Sequence, residues 1–325
     1  MISTLISLYA AGSLIGGDVT ANNSQHTMPW NETVQLEATR VPEKNPANIE
    51  PVIDAESAIA VDLKNGIILY EKNIHEKLPI ASLTKLMTVV VILEENNIRD
   101  TATISYLVTK IPGSKIWLAE GEKITIENLL YASLINSAND AATALAQYNS
   151  DNIDIFVEKM NQKSKELGLT STLFINPTGL DEEMDAKDPR IQDYKKKSAY
   201  IVEPEDENGL TTVTNSSTAY DLALLGRYAY GKSFVRRAVV KKELEIASNN
   251  EFLRHNLKNT NDLLDSYLKV LGLKTGTTDV AGECLIAIVE NESGDIILTV
   301  VLNSKQRYTE TKILADWVFR SYTWS

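Results

Sequence analysis

The 325-residue sequence predicts an α+β fold. Three observations carry the prediction. A strand–turn–strand pattern centred on Asn65-Gly66 opens the ordered part, helical segments fill the middle, and strand-like runs followed by one amphipathic helix close the chain. A hairpin, a helical block and a meander fit one mixed domain, with the end helix packed on the sheet. The length suffices for a full hydrophobic core.

Residues 1–17 read MISTLISLYAAGSLIGG, an apolar run of signal-peptide length without a positive n-region, and Val19-Thr20-Ala21 offers a cleavage site. Residues 1–21 are therefore expected to be a signal peptide or an anchor. The run is too short and too mixed to be read as a membrane span. Residues 22–56 are polar, hold Pro29, Pro42, Pro46 and Pro51, and show no sustained period. They read as a flexible leader to a domain over 57–325. Order begins with strands over 58–63 and 67–70, because Asn-Gly tolerates the positive φ of a tight hairpin.

A helix is predicted from Ser82. Proline and small residues precede it, and Leu86, Met87, Val89, Val90, Val91, Ile92 and Leu93 make it apolar almost all round. Such a helix belongs at the centre of a fold. Short strands over 101–105 and 123–126 lead to a helix over 127–135. The polar stretch 136–140 interrupts it, and Asn139 or Asp140 is expected to cap its continuation. An amphipathic helix over 151–167 ends at Gly168, and a turn-rich loop spans 174–180. Residues 181–216 carry Lys195-Lys196-Lys197 and a following acidic block, and read as an irregular, solvated excursion. A helix over 217–230 follows. The last part is mostly strand: 241–247, 252–255, the run through Lys274, 283–289 and 296–302. A helix over 308–319 ends the chain.

Composition narrows the chemistry. Lys plus Arg is 32 and Asp plus Glu is 44, a net charge of -12, which argues against broad contact with nucleic acid or anionic lipid. The one cysteine, Cys284, excludes an internal disulfide and lies in an apolar run, as a small buried hydrophobe would. His26, His75 and His255 are scattered, without metal-ligand spacing.

Two places invite chemistry. Ser82 and Lys85 are three residues apart, so on a helix they share a face. A serine hydroxyl needs a neighbour to take its proton, and a lysine of lowered pKa can do so. Taken alone, the same pair reads as a helix cap and a solvated lysine. Ser137 and Asn139 either belong to a plain interhelical turn or project from it into a cleft.

At Lys274-Thr275-Gly276 a resemblance emerges. Ser82-x-x-Lys85, Ser137-x-Asn139 and Lys274-Thr275-Gly276, in that order, resemble the signature of serine penicillin-binding proteins and class A β-lactamases. The text around the nucleophile, Asn176-Pro177-Thr178-Gly179-Leu180, and Ala281-Gly282-Glu283-Cys284-Leu285 are similar to the low-molecular-mass D-alanyl-D-alanine carboxypeptidases. The similarity runs from about Ser57 to Phe319.

The resemblance implies a penicillin-binding protein/serine β-lactamase-like fold, an antiparallel sheet flanked by helices plus an all-helical block, with the site between them. It implies removal of the terminal D-alanine of peptidoglycan stem peptides without metal or organic cofactor, acylation by β-lactam antibiotics, and work outside the cytoplasmic membrane. Ser82 would attack, Lys85 would accept its proton, Ser137 would relay it and Lys274 would tune it. Asn139 would hold Lys85 and substrate together. The backbone N–H groups of Ser82 and Thr277 would form the oxyanion hole, and Thr275 and Thr277 would bond the substrate carboxylate. Gly276 would let the peptide approach the strand.

The sequence also departs from these families. Residues 181–216 exceed the usual short connection and are expected either to alter the cleft or to be a surface insertion. The second motif has Ala138 where class A β-lactamases usually have Asp, and their deacylating Glu-x-x-x-Asn is not seen. No β-rich domain or amphipathic tail follows residue 319, so membrane attachment is expected only through the N-terminus. A DD-endopeptidase acting on cross-links and a catalytically inactive wall-binding homologue are the rival readings.

Overall fold

The computed structural model describes residues 27–29, 40–202, 210–250 and 252–325. The chain forms β1 (Ser57–Asp62) and β2 (Ile68–Lys72), then helices α1 (Lys85–Glu95), α2 (Ile126–Ile135), α3 (Asn139–Asn149) and α4 (Ile153–Glu166). An excursion follows, with β3 (Glu182–Asp185), α5 (Pro189–Lys196), β4 (Tyr200–Val202) and β5 (Leu210–Thr214). Then come α6 (Ala219–Gly231), α7 (Ser233–Val239) and the hairpin β6 (Glu243–Ala247) and β7 (Arg254–Lys258). The chain closes with β8 (Lys269–Thr278), β9 (Gly282–Glu290), β10 (Ile296–Ser304) and α8 (Arg307–Ser321).

The main sheet has the order β8-β9-β10-β1-β2, and every pairing is antiparallel. The expected meander is its C-terminal part. The N-terminal hairpin joins that meander through β1 and β10, with Val300 opposite Ile59. The alternation of side chains across a strand then divides the core. Ile59, Val61, Ile286, Ile288, Leu298 and Val300 face the helical block. Ala58, Ala60, Leu285, Ala287, Val289 and Val301 share a second core with Leu314, Ala315 and Val318 of α8. The result is three layers: one helix, the sheet, and the helical block.

α1 is the axis of that block, buried from Lys85 through Ile92. Its run of β-branched residues has modest helix propensity, so packing on all sides holds it. The prediction of a helix apolar all round is met.

Three stretches differ from expectation. Part of the stretch read as a leader is ordered: Pro42–Lys44 pairs antiparallel with Tyr322–Trp324, and Trp317 Nε1 donates to Ile49 O at 2.7 Å. Met28 is buried, its N–H on Gly66 O. The excursion over 181–216 is regular among its described residues. β3, β5 and β4 form a three-stranded antiparallel sheet, and Met184, Ile191 and Val213 form a small core with Ile175. Its sequence does contain a helix start, since Asp188 caps α5 and Pro189 opens it. The acidic block, residues 203–207, lies outside the described residues. Finally, α3 has Ala138 at its N-cap, and neither Asn139 nor Asp140 caps it; both side chains are engaged elsewhere. The N-terminal apolar run lies outside the described residues, among which no helix is long and apolar enough to cross a membrane.

Candidate active site

Ser82 lies on a 3-10 turn, Ala81–Thr84, and the α-helix itself starts at Lys85. The helix predicted from Ser82 thus begins with a tighter turn. In 3-10 geometry residues i and i+3 eclipse, and Lys85 Nζ stands 2.8 Å from Ser82 Oγ. The turn is pressed from outside by Gly179. A Cβ at that position would lie 1.9 Å from Ala81 O, and its φ is +84°. Only glycine satisfies both demands.

Lys85 is fully buried. Besides Ser82 Oγ it meets Asn139 Oδ1 at 2.7 Å and Thr178 O at 2.7 Å. Those two oxygens can only accept. A neutral amine has two N–H bonds and one lone pair. With the N–H bonds on the two carbonyl oxygens, the lone pair faces the Ser82 hydroxyl. Burial holds the Lys85 pKa well below the ordinary lysine value. The charge of Lys274 pushes it the same way, and Asp140 opposes. The arrangement can therefore take a proton from Ser82.

Asn139 is fixed at both ends of its amide. Its Nδ2 donates to Pro112 O at 2.9 Å, and its backbone N–H donates to Ser114 O at 2.7 Å. Ser137 occupies the left-handed region at φ +57°, and its Oγ lies 2.8 Å from Lys274 Nζ. Such a conformation is uncommon for a residue with a side chain. The polar break between two apolar helices is thus a shaped turn aimed at Lys274.

Lys274 is buried on β8, and its Nζ also donates to Thr275 O at 2.8 Å. Burial, with the nearby Arg307 charge, pulls its pKa down to about 7. β8 is an edge strand of the sheet. Thr275 Oγ1 is 2.6 Å from Thr260 Oγ1 and buried, while Thr277 is exposed. A Cβ at Gly276 would lie 3.0 Å from both Ile80 O and Ser82 N. The space that glycine leaves there faces the nucleophile turn, in addition to any approach by a peptide.

Two lysines join the outer motifs to the middle one. Lys85 ties Ser82 to Asn139, and Lys274 ties Ser137 to β8. These bonds, with the close approach of Gly276 to Ser82 N, bring Ser82, Lys85, Ser137, Asn139, Lys274, Thr275, Gly276 and Thr277 together.

Sequence reasoning missed three contributors. Arg307, at the start of α8, donates through Nη1 to the Thr277 hydroxyl and to Gly276 O, the latter at 2.9 Å. Its Nε is buried with no hydrogen-bond partner among the described residues. Nothing in the linear sequence marks an arginine thirty residues beyond the Lys-Thr-Gly strand. Thr178 serves through its carbonyl, which no side-chain pattern reveals. Asn215 is buried, accepts from Ile175 and Asn176 N–H through Oδ1, and donates through Nδ2 to Thr84 Oγ1 and Asn176 O. Asn176 Oδ1 in turn accepts from Thr178 and Gly179 N–H.

Comparison with known proteins decides the kinship. Residues 44–306 match the model of the D-alanyl-D-alanine carboxypeptidase peptidases. The chain belongs to that family. The D-alanyl-D-alanine carboxypeptidase DacF of Bacillus subtilis is 32% identical over 282 residues, an alignment covering 83% of this chain and 63% of that relative. The chain thus spans under two thirds of that relative's length. A D-alanyl-D-alanine endopeptidase of Escherichia coli is 25% identical over 276 residues, 83% of this chain and 78% of its own length. Among solved structures, penicillin-binding protein D2 of Listeria monocytogenes in its ampicillin-bound form superposes with a TM-score of 0.65. It is 27% identical, covering 83% of this chain and 99% of that one. Antiparallel sheet, flanking helices and helical block together make the penicillin-binding protein/serine β-lactamase-like fold of the family.

Proposed function

We propose that the chain is a serine-type D-alanyl-D-alanine carboxypeptidase acting on peptidoglycan stem peptides outside the cytoplasmic membrane. One observation carries the reading: the Lys85 amine stands 2.8 Å from Ser82 Oγ while its other two directions end on carbonyl oxygens. Ser82 Oγ attacks the carbonyl between the two D-alanines, and its proton passes to Lys85 Nζ. The oxyanion sits between the backbone N–H groups of Ser82 and Thr277; loss of one such donor costs about 3 kcal/mol of transition-state stabilisation. Collapse breaks the C–N bond; Ser137, held by Lys274, gives its hydroxyl proton to the departing amine and takes in its place the proton that Lys85 received from Ser82. Water then cleaves the acyl-enzyme and restores the hydroxyl.

The free carboxylate of the terminal D-alanine is received by the Arg307 guanidinium and the Thr277 hydroxyl beside it. An arginine fork suits a carboxylate. Thr275, bonded to Thr260, supports that corner. A β-lactam acylates Ser82 by the same attack, its ring amide opening in place of the peptide bond. The edge of β8 is open to pair with the substrate backbone as an added strand.

The test is covalent labelling. Intact mass before and after penicillin treatment should show one adduct, absent in Ser82→Ala. An unchanged mass under conditions in which a family member reacts sinks the proposal. A DD-endopeptidase is the second reading, favoured by the similarity to a relative of that name. D-alanine release from a pentapeptide, compared with cleavage of cross-linked dimers, separates the two.

A further inference from the structure

The loop that holds Asn139 also presents a tryptophan to solvent. Trp117 is 75% exposed, between Ile116 at 7% and Leu118 at 3%. Its φ is +63°, a conformation that bulky residues rarely adopt. The cause is Asp140. Its carboxylate accepts the N–H groups of Ile116 and Leu118. Two N–H groups on either side of Trp117 converge on one anion, and the left-handed residue between them turns both inward. On the other side, His255 Nδ1 lies 2.9 Å from Ile116 O and Nε2 lies 2.8 Å from Glu122 Oε1. The loop is pinned from within, and the indole is carried on its outer tip. A glycine would fit that backbone better, so burial and backbone preference both fail to explain the residue.

The surroundings give the tip a chemistry. Lys115 Nζ stands 4.4 Å from the centroid of the Trp117 ring, and Lys110 Nζ stands 4.6 Å from that of Tyr106, which is also exposed. Neither lysine forms an ion pair with the described residues. In a chain of net charge -12 this is a local cationic and aromatic rim. It continues directly from Pro112 and Ser114, whose carbonyls fix Asn139.

We propose that Trp117 and Lys115 form a subsite for the glycan strand that carries the stem peptide. The open face of the indole stacks on the C–H face of a sugar ring, an apolar body with a polar rim of the kind aromatic side chains suit. Lys115 faces the substrate's hydroxyl and carboxylate oxygens. The inference rests on the peptidoglycan reading above, and its test is separable from it.

The first measurement uses no catalysis. Ser82→Ala protein is titrated with glycan strands stripped of their peptides. Trp117→Gly, which relieves the backbone, should weaken binding about tenfold, and Trp117→Tyr should retain most of it. The second compares D-alanine release from a free pentapeptide and from a disaccharide-pentapeptide. The wild type should favour the sugar-bearing substrate, and Trp117→Gly should erase about tenfold of that preference through KM. Absence of glycan binding by the Ser82→Ala protein, or binding and preference both untouched in Trp117→Gly, overturns the subsite. Failure to release D-alanine from either substrate refutes the enzymatic reading and leaves the binding titration to decide the subsite.

Discussion

Two buried lysines set the chemistry at the scale of single residues, and a third cation sets their balance. Arg307 adds to the forces that lower the Lys274 pKa to about 7. Removing that charge in Arg307→Gln should raise the Lys274 pKa, because a neighbouring cation no longer disfavours its protonated form. The limb of the pH–rate profile near 7 should move to higher pH. KM for a peptide with a free terminal carboxylate should rise, while acylation by a β-lactam without a carboxylate in that position should suffer less. An unmoved profile with an unmoved KM would remove Arg307 from the site. Burial, with the Lys274 charge beside it, also holds the Lys85 pKa well below the ordinary lysine value, so acylation should fade as acid protonates it, and rise as pH rises. The motif residues were legible because side chains of fixed type recur at short spacing. Arg307 was not, since its place depends on how α8 lies across β8.

A second class of determinant acts through the path of the backbone, at the scale of elements. Gly179 touches no substrate in the proposed mechanism, yet its missing side chain is what lets the 176–180 loop lie on the nucleophile turn. Gly179→Ala should cost at least about 2 kcal/mol of stability, the order expected of strain at a special φ. It should also slow acylation by penicillin more than it changes KM. Wild-type rates in that variant would show that the loop can retreat without consequence. Asn215 acts the same way from the opposite side. It joins Thr84 in the nucleophile turn to Asn176, which fixes the Thr178 carbonyl that receives Lys85. Truncation to Ala strands two buried N–H donors and leaves two acceptors without their donor, each unsatisfied group costing about 1–3 kcal/mol. The expected outcome is lower stability together with a slower acylation step, read from single-turnover labelling. The hairpin and the meander were legible from turn residues and strand-like apolar runs, and the end helix from its one apolar face. The order of the excursion was not, because charge blocks masked the Asp-Pro start of α5 and the Thr-Val alternation of β5.

At the scale of the whole molecule, the site is a cost that the fold carries. Lys274 is buried with a pKa of about 7, against 10.5 for an ordinary lysine. Below about pH 7 the folded and unfolded states both hold the proton, and the folded state bears the full penalty of the buried cation. Between about 7 and 10.5 the unfolded state binds more protons, so stability rises with pH. Above that window neither state is charged there and the penalty is gone. At about 1.4 kcal/mol per unit, the difference amounts to a few kcal/mol, reduced by what Ser137 loses when its partner is removed. Lys274→Met should therefore be inactive yet more stable than wild type at neutral pH, as replacing a buried charge by an apolar side chain often is. Its advantage should shrink as pH climbs toward 10. Denaturant midpoints of both proteins across that range make the measurement. Parallel curves would mean that Lys274 is solvated or paired well enough to pay nothing for its burial, and the electrostatic account of the site would have to be rebuilt around Lys85 alone.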